Sequence, residues 1–247
     1  SGARWSLFVT LADGMEELTR ALAARLPPGA ARLKERVTGV AREDGRWRLA
    51  TERGTHLDAD ALVLAPESHQ AARMLRYVDP GLAHLLDGIP YASSGTVTLA
   101  YRRGDVGHPL DGFGFVVPQI ERRPIIACTF SSVKYPGRAP DGHVLLRVFV
   151  GGALNESVLD ADDAALVATA RAELGRLLGA TGEPLFTRVE RYPRAMPQYH
   201  VGHGARVEAI EQAAARLPGL RLVGGAYRGV GIADCVRSSE EAVESLL

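Results

Sequence analysis

Long apolar runs, charge of one sign and cysteine are all scarce in these 247 residues, and each scarcity removes a class of function. No stretch approaches the about 20 apolar residues that a membrane-spanning helix needs. The 29 basic and 29 acidic residues cancel, leaving no global field to draw nucleic acid or an anionic membrane. Cys128 and Cys235 are the only cysteines. Two thiols so far apart suit neither a disulfide framework nor a metal cluster, and they fit a reduced, cytoplasmic protein. The opening Ser1-Gly2-Ala3-Arg4-Trp5 has no basic-then-apolar signal pattern. Internal repeats, low-complexity tracts and long polar linkers are missing too. What remains, 46% hydrophobic and 23% charged, is the balance of an ordinary globular protein.

Catalytic side-chain constellations are also wanting. Ser131 and Ser132 have no G-x-S-x-G setting, so a nucleophile elbow is unsupported. His200 and His203 are spaced like a metal pair, but no third ligand type clusters near them, so no metal is expected. Asp162-Asp163 belongs to the first turn of a helix, where acids suit the dipole. This lack of acid–base machinery suits a cofactor that carries the chemistry.

The patterning predicts a mixed fold. An amphipathic helix opens at Asp13 or Gly14 and runs to Leu26, with Met15, Leu18, Leu22 and Leu26 on one face. Residues 32–43 read as a strand, and Asp44-Gly45 turns it into a second strand over 46–51, a β-hairpin. The continuous run Asp60 to Pro66 predicts a strand buried on both faces, and a helix over 67–75 follows. Strand-like segments at 95–102, 112–117, 124–131 and 143–150 predict a mainly antiparallel sheet in the middle. A helix over 161–178, a strand over 185–192 and a helix over 205–217 come next. The run Arg191 to His203 reads as a stiff structural loop, whose two tyrosines offer flat faces to an aromatic ligand.

The chain closes on Leu220-Arg221-Leu222-Val223, the glycine-rich Gly224 to Gly231, and a helix over about 233–247. Glycines let backbone approach a ligand closely, and a helix start aims free N–H groups and a positive dipole at it. A phosphate or dinucleotide suits such a place. A plain strand-to-helix connection fits as well, although the glycines outnumber what a turn requires. Neither a Walker loop nor a G-x-G-x-x-G fingerprint occurs.

Four stretches together resemble the C-terminal portion of FAD-dependent protoporphyrinogen oxidases of the amine oxidase-like flavoprotein superfamily. They are Leu11 to Leu18; the strands ending in Leu64-Ala65-Pro66; Gly112-Phe113-Gly114-Phe115-Val116-Val117-Pro118; and Ala195-Met196-Pro197-Gln198-Tyr199 with Gly224 to Arg237. The resemblance implies an α/β fold with two parts. Residues 1–90 and 195–247 form an incomplete, Rossmann-like FAD-binding part, and 91–194 form a β-rich substrate domain.

It further implies FAD as cofactor and a tetrapyrrole, protoporphyrinogen or coproporphyrinogen, as substrate in haem biosynthesis. Hydride passes to FAD, and oxygen reoxidises it. Val37 matches the backbone that recognises adenine, Ala65 and Pro66 pass near the cofactor, and Gly225 matches a pyrophosphate contact. Val230, Gly231 and Ile232 match the backbone facing the flavin, and Val116 and Phe130 match apolar positions sandwiching the tetrapyrrole. Relatives begin with a G-x-G-x-x-G unit and carry a membrane-touching helical part, neither of which is found here. The expectation is therefore a chain that alone binds FAD weakly or not at all and is inactive, awaiting a complementing N-terminal half or a homodimer partner. A free-standing protein binding a flat apolar ligand such as a porphyrin is the alternative. Other amine oxidases and carotenoid desaturases fit less well, because of the Phe113 to Pro118 stretch.

Overall fold

A computed structural model describes residues 9–247. In chain order its elements are α1 (Glu16–Ala23), β1 (Val37–Glu43), β2 (Arg46–Thr51), β3 (His56–Ala59), β4 (Leu62–Leu64), α2 (Ser68–Leu75), α3 (Pro80–Asp87), β5 (Tyr91–Arg102), β6 (Gly114–Val116), β7 (Ile125–Phe130), α4 (Ser131–Lys134), β8 (His143–Gly151), α5 (Asp163–Leu178), β9 (Phe186–Pro197), α6 (His203–Ala215), β10 (Leu220–Leu222) and α7 (Ile232–Glu244). The mixed α/β class expected from the sequence is what the chain adopts. Two compact units divide it.

The glycine-loop unit comprises Arg32–Tyr91 and Pro197–Leu247. Its hairpin forms where the sequence put it. Asp44 and Gly45 both take positive φ, 49° and 79°, the backbone a two-residue turn between twisted strands needs. Strands β1, β2 and β3 make one antiparallel sheet, while β4 pairs in parallel with β10 from the far end of the chain. Trp47 is the anchor. It is wholly buried and donates its indole N–H to the Pro218 carbonyl at 3.1 Å. Around it pack Leu62, Leu64, Leu75, Leu86, Ile210 and Leu220. The run through β4 is not buried on both faces as expected. Leu62 and Leu64 face the core, but Val63 is 39% exposed, because β4 has a strand on one side and packs only one face inward.

Helix α3 is an addition that the apolar pattern alone did not reveal. Its signals are Asp79, whose carboxylate accepts from the Leu82 N–H at 2.8 Å, and Pro80 in the first turn.

The sheet unit comprises Ala92–Met196 with the segment up to Ala31. Five strands lie in the order β6-β7-β8-β5-β9. One face meets α5, where Leu166, Ala170, Leu174 and Leu178 pack on Val97, Leu99, Leu146 and Val148. Asp162 caps α5 by accepting from the Ala165 N–H at 2.8 Å. It is thus a cap rather than a first-turn residue. Strand β9 runs on to Pro197, so residues 193–197, beyond the expected strand and within the expected loop, are extended strand.

Helix α1 is shorter than its apolar stripe suggested, and none of its residues is buried; Met15, Leu22 and Leu26 are exposed. The Arg138 guanidinium binds the Thr10 hydroxyl and the Leu11 carbonyl just ahead of it, at 3.0 and 2.8 Å. Among the described residues, no helix is long and apolar enough to cross a membrane.

Candidate functional site

Parallel pairing of β4 with β10 brings two loops to one place. The Val223 N–H donates to the Leu64 carbonyl at 3.0 Å, so Ala65-Pro66 and Gly224-Gly225 leave the carboxyl ends of adjacent strands together. In open α/β sheets that end is where ligands bind. Gly224 lies over the Ala65 carbonyl, and Gly225 lies against Val230. The chain then enters α7 at Gly231, which supplies no side-chain cap. The first intrahelical bond is made by the Cys235 N–H to the Gly231 carbonyl, leaving earlier first-turn N–H groups without an intrahelical acceptor. Val230 and Ile232 stand 64% and 56% exposed beside them.

The loop is fastened by a pair the sequence reading left as structural. The Tyr199 hydroxyl donates to the Gly225 carbonyl at 2.6 Å and accepts from the Gly229 N–H at 3.1 Å, bridging the loop's two arms. Its ring stacks on His203 at 4.0 Å and 13°. The His203 Nε2 lies 2.9 Å from the Tyr227 carbonyl, where a protonated nitrogen donates to that oxygen. Burial raises the Tyr199 phenol above its ordinary range, so it stays protonated and able to donate. Burial pushes the Tyr227 phenol up still further.

Gly229 has φ 151°, and a Cβ there would stand 2.6 Å from the Asp234 Oδ2. Asp234 pairs with Arg237 at 2.5 Å, so the helix start carries a neutralised carboxylate rather than a naked dipole. A cavity of about 420 Å³ opens beside the loop, lined among others by Gly224, Gly229, Tyr227, Asp234 and Ala242.

The sheet unit offers a different surface. Directly paired residues share a face, and Val116, Ala127, Phe149 and Thr96 pair across β6, β7, β8 and β5 in one row. The next row holds Gly114, Thr129, Arg147 and Thr98. These rows lie opposite the face that packs on α5. Val116 is 76% exposed. At the end of the sheet a cavity of about 1040 Å³ is lined by Val117, Ile120, Arg122, Ile126, Gly152 and Leu154 among others.

A family model for flavin containing amine oxidoreductases matches residues 3–247. The chain belongs to that family. It is 33% identical to coproporphyrinogen III oxidase of Bacillus subtilis (strain 168), over 97% of this chain and 51% of that protein. It is 34% identical to coproporphyrinogen III oxidase of Propionibacterium freudenreichii subsp. freudenreichii, over 100% of this chain and 46% of the other. It is also similar to the crystal structure of an Exiguobacterium sp. 255-15 protein provisionally named protoporphyrinogen oxidase. That match has a TM-score of 0.86 and 34% identity, and covers 96% of this chain and 51% of that one. The chain thus spans about half the length of the relatives it matches.

The family's flavin fits what the glycine-loop unit presents. Ala65, Pro66, Gly225, Val230, Gly231 and Ile232 gather at one sheet end, where glycine backbone lies beside the exposed Val230 and Ile232 side chains. Val37 stands at the start of β1, opposite Thr51, and packs partly buried against the unit's core.

The two residues expected to sandwich a substrate do not share a face. Phe130 is 3% exposed, its ring 6.2 Å from Phe115 and 5.7 Å from His108 in the core, whereas Val116 stands on the open side. Even and odd positions of β7 point oppositely, so Phe130 supports the sheet from behind. Phe149 and Arg147 escaped the sequence reading. The alternation Leu145, Arg147, Phe149 between buried Val144, Leu146, Val148 and Val150 was the available signal.

Proposed function

We propose that this chain carries the flavin-facing loop and the substrate-bearing sheet of a porphyrinogen oxidase, with FAD as cofactor and a tetrapyrrole as substrate, in a cytoplasmic protein of haem biosynthesis. The observation that carries the reading is the gathering of Ala65-Pro66, Gly224 to Ile232 and the uncapped start of α7 at one end of a parallel strand pair. Bound FAD supplies the hydride acceptor. Everything else is the chain's own work. The Gly225 region holds pyrophosphate through backbone, Val230 to Ile232 line the flavin edge, and the Tyr199–His203 pair keeps the loop in shape. Val37 takes the adenine through its backbone. The residues missed from the sequence, Phe149 and Ala127, join Val116 as the apolar seat for the macrocycle.

The 247 residues contain no G-x-G-x-x-G. Alone, the chain accordingly binds FAD weakly and does not turn over. Amide hydrogen exchange on the purified chain, with and without millimolar FAD, tests both halves of this. Slowed exchange around Val37 and over residues 224–235, without porphyrinogen oxidation, is the expected result. No protection at any FAD concentration overturns the flavin assignment, and turnover by the chain alone overturns its dependence on further protein. Porphyrin binding without flavin protection would favour a free-standing porphyrin-binding protein.

A further inference from the structure

Antiparallel sheets with one solvated face usually turn polar side chains outward. The open face of this sheet is mixed, with Thr96, Thr98 and Thr129 beside an apolar group. Val116, Ala127 and Phe149 stand in one row, and Phe149 packs with none of the core. Arg147 lies two residues from Phe149 on the central strand, about 6.6 Å along it. It is flanked directly by Thr129 and Thr98. Among the described residues its guanidinium has no ion pair and no hydrogen bond. Other arginines of the same unit are engaged: Arg123 with Glu173 at 2.9 Å, Arg103 with three carbonyls, and Arg138 with the segment at Thr10. An apolar group with an unpaired cation at its margin and hydroxyls beside it matches a flat amphipathic anion.

We propose that Arg147 is a carboxylate anchor, holding a propionate of a tetrapyrrole whose ring lies on Val116, Ala127 and Phe149. This deepens the substrate half of the proposed function and rests on it. It also selects among substrates. A ring with a propionate on each of its four pyrroles presents one to Arg147 in every in-plane orientation. A ring with two propionates on neighbouring pyrroles does so only in some. The anchor therefore favours coproporphyrinogen over protoporphyrinogen.

The test uses the stable oxidised porphyrins and the whole chain, with Soret absorbance and emission followed in titration. Three ligands are compared: coproporphyrin III, the dicarboxylate mesoporphyrin IX, and coproporphyrin tetramethyl ester in fixed detergent. Coproporphyrin III should bind tightest. Arg147→Leu should weaken it about tenfold, the loss expected of one exposed charge-assisted hydrogen bond. The same substitution should leave the ester and the unfolding midpoint unchanged, and Arg147→Lys should recover part of the loss.

Val116→Asp serves as the control for the face itself. If it abolishes binding while Arg147→Leu changes nothing, the anchor is wrong and the porphyrin reading survives. If the wild-type chain shows no saturable binding, or Val116→Asp has no effect, the open face is not the seat and both fall together.

Discussion

The sheet unit and the glycine-loop unit expose chemistry of different origin. On the sheet, strand alternation divides side chains cleanly: Val148 and Leu146 go to the core, Phe149 and Arg147 to the open face. On the loop, glycine backbone is exposed beside the Val230 and Ile232 side chains, and other side chains serve to hold it. Tyr199 spans Gly225 and Gly229, His203 meets the Tyr227 carbonyl, and Arg237 neutralises Asp234. A surface made of side chains changes with single substitutions that leave the fold alone. A surface made of backbone changes only when its conformation does. Mutations in the two places should therefore separate binding from stability in the first and couple them in the second.

The largest effect tests the two faces of β8. Leu146 is wholly buried, so Leu146→Ala leaves a cavity under the sheet and should cost about 2–5 kcal/mol in urea unfolding. Phe149→Ala, three residues on and facing outward, should cost about 1 kcal/mol or less and instead weaken porphyrin binding. Equal losses of stability from both would mean that the open face is in truth packed.

Within the loop the same contrast is expected between two glycines. Gly229→Ala must hold a Cβ at φ 151° against the Asp234 carboxylate, a strain of about 1–3 kcal/mol. At Gly225 the new Cβ meets nothing nearer than the Val230 Cα at 3.5 Å, so Gly225→Ala should cost about 0.5 kcal/mol or less. Thermal unfolding of the two variants reads the difference, and flavin-induced exchange protection should fall in parallel for Gly229→Ala. A Gly229→Ala chain as stable as wild type would show that the loop is not held in one conformation.

These contrasts also explain what the sequence could and could not say. The hairpin at Asp44-Gly45, the strands of the central sheet and α5 were legible because each is fixed by local periodicity and turn chemistry. The parallel pairing of Leu62–Leu64 with Leu220–Leu222 joins segments from opposite ends of the chain, and no local pattern announces it. The loop's glycines named the place, but the residues that hold it lay in Tyr199 and His203, whose partners are backbone atoms. Phe130 shows what a motif leaves out. The face a strand residue takes depends on register, and register turns Phe130 to the buried face, away from Val116.

The smallest effect concerns Cys128, which the same register turns inward against Val148, 1% exposed. Burial pushes its thiol up to about 12, because a thiolate there would lose water and gain nothing. In the unfolded chain a cysteine titrates near about 8.5. Below that pH the proton is held in both states and the thiol contributes no pH dependence. Above it the unfolded chain releases the proton while the folded chain keeps it, so stability must fall as pH rises. The limiting slope is about 1.4 kcal/mol per pH unit, approached only above the unfolded value. Urea unfolding between pH 7 and pH 9.5 should show a loss of about 1.4 kcal/mol from this thiol by its upper end. Cys128→Ala should remove that part of the decline while lowering stability at pH 7. An unchanged slope in the variant would place Cys128 in water rather than in the core, and with it would go the inward register of β7 on which the open face depends.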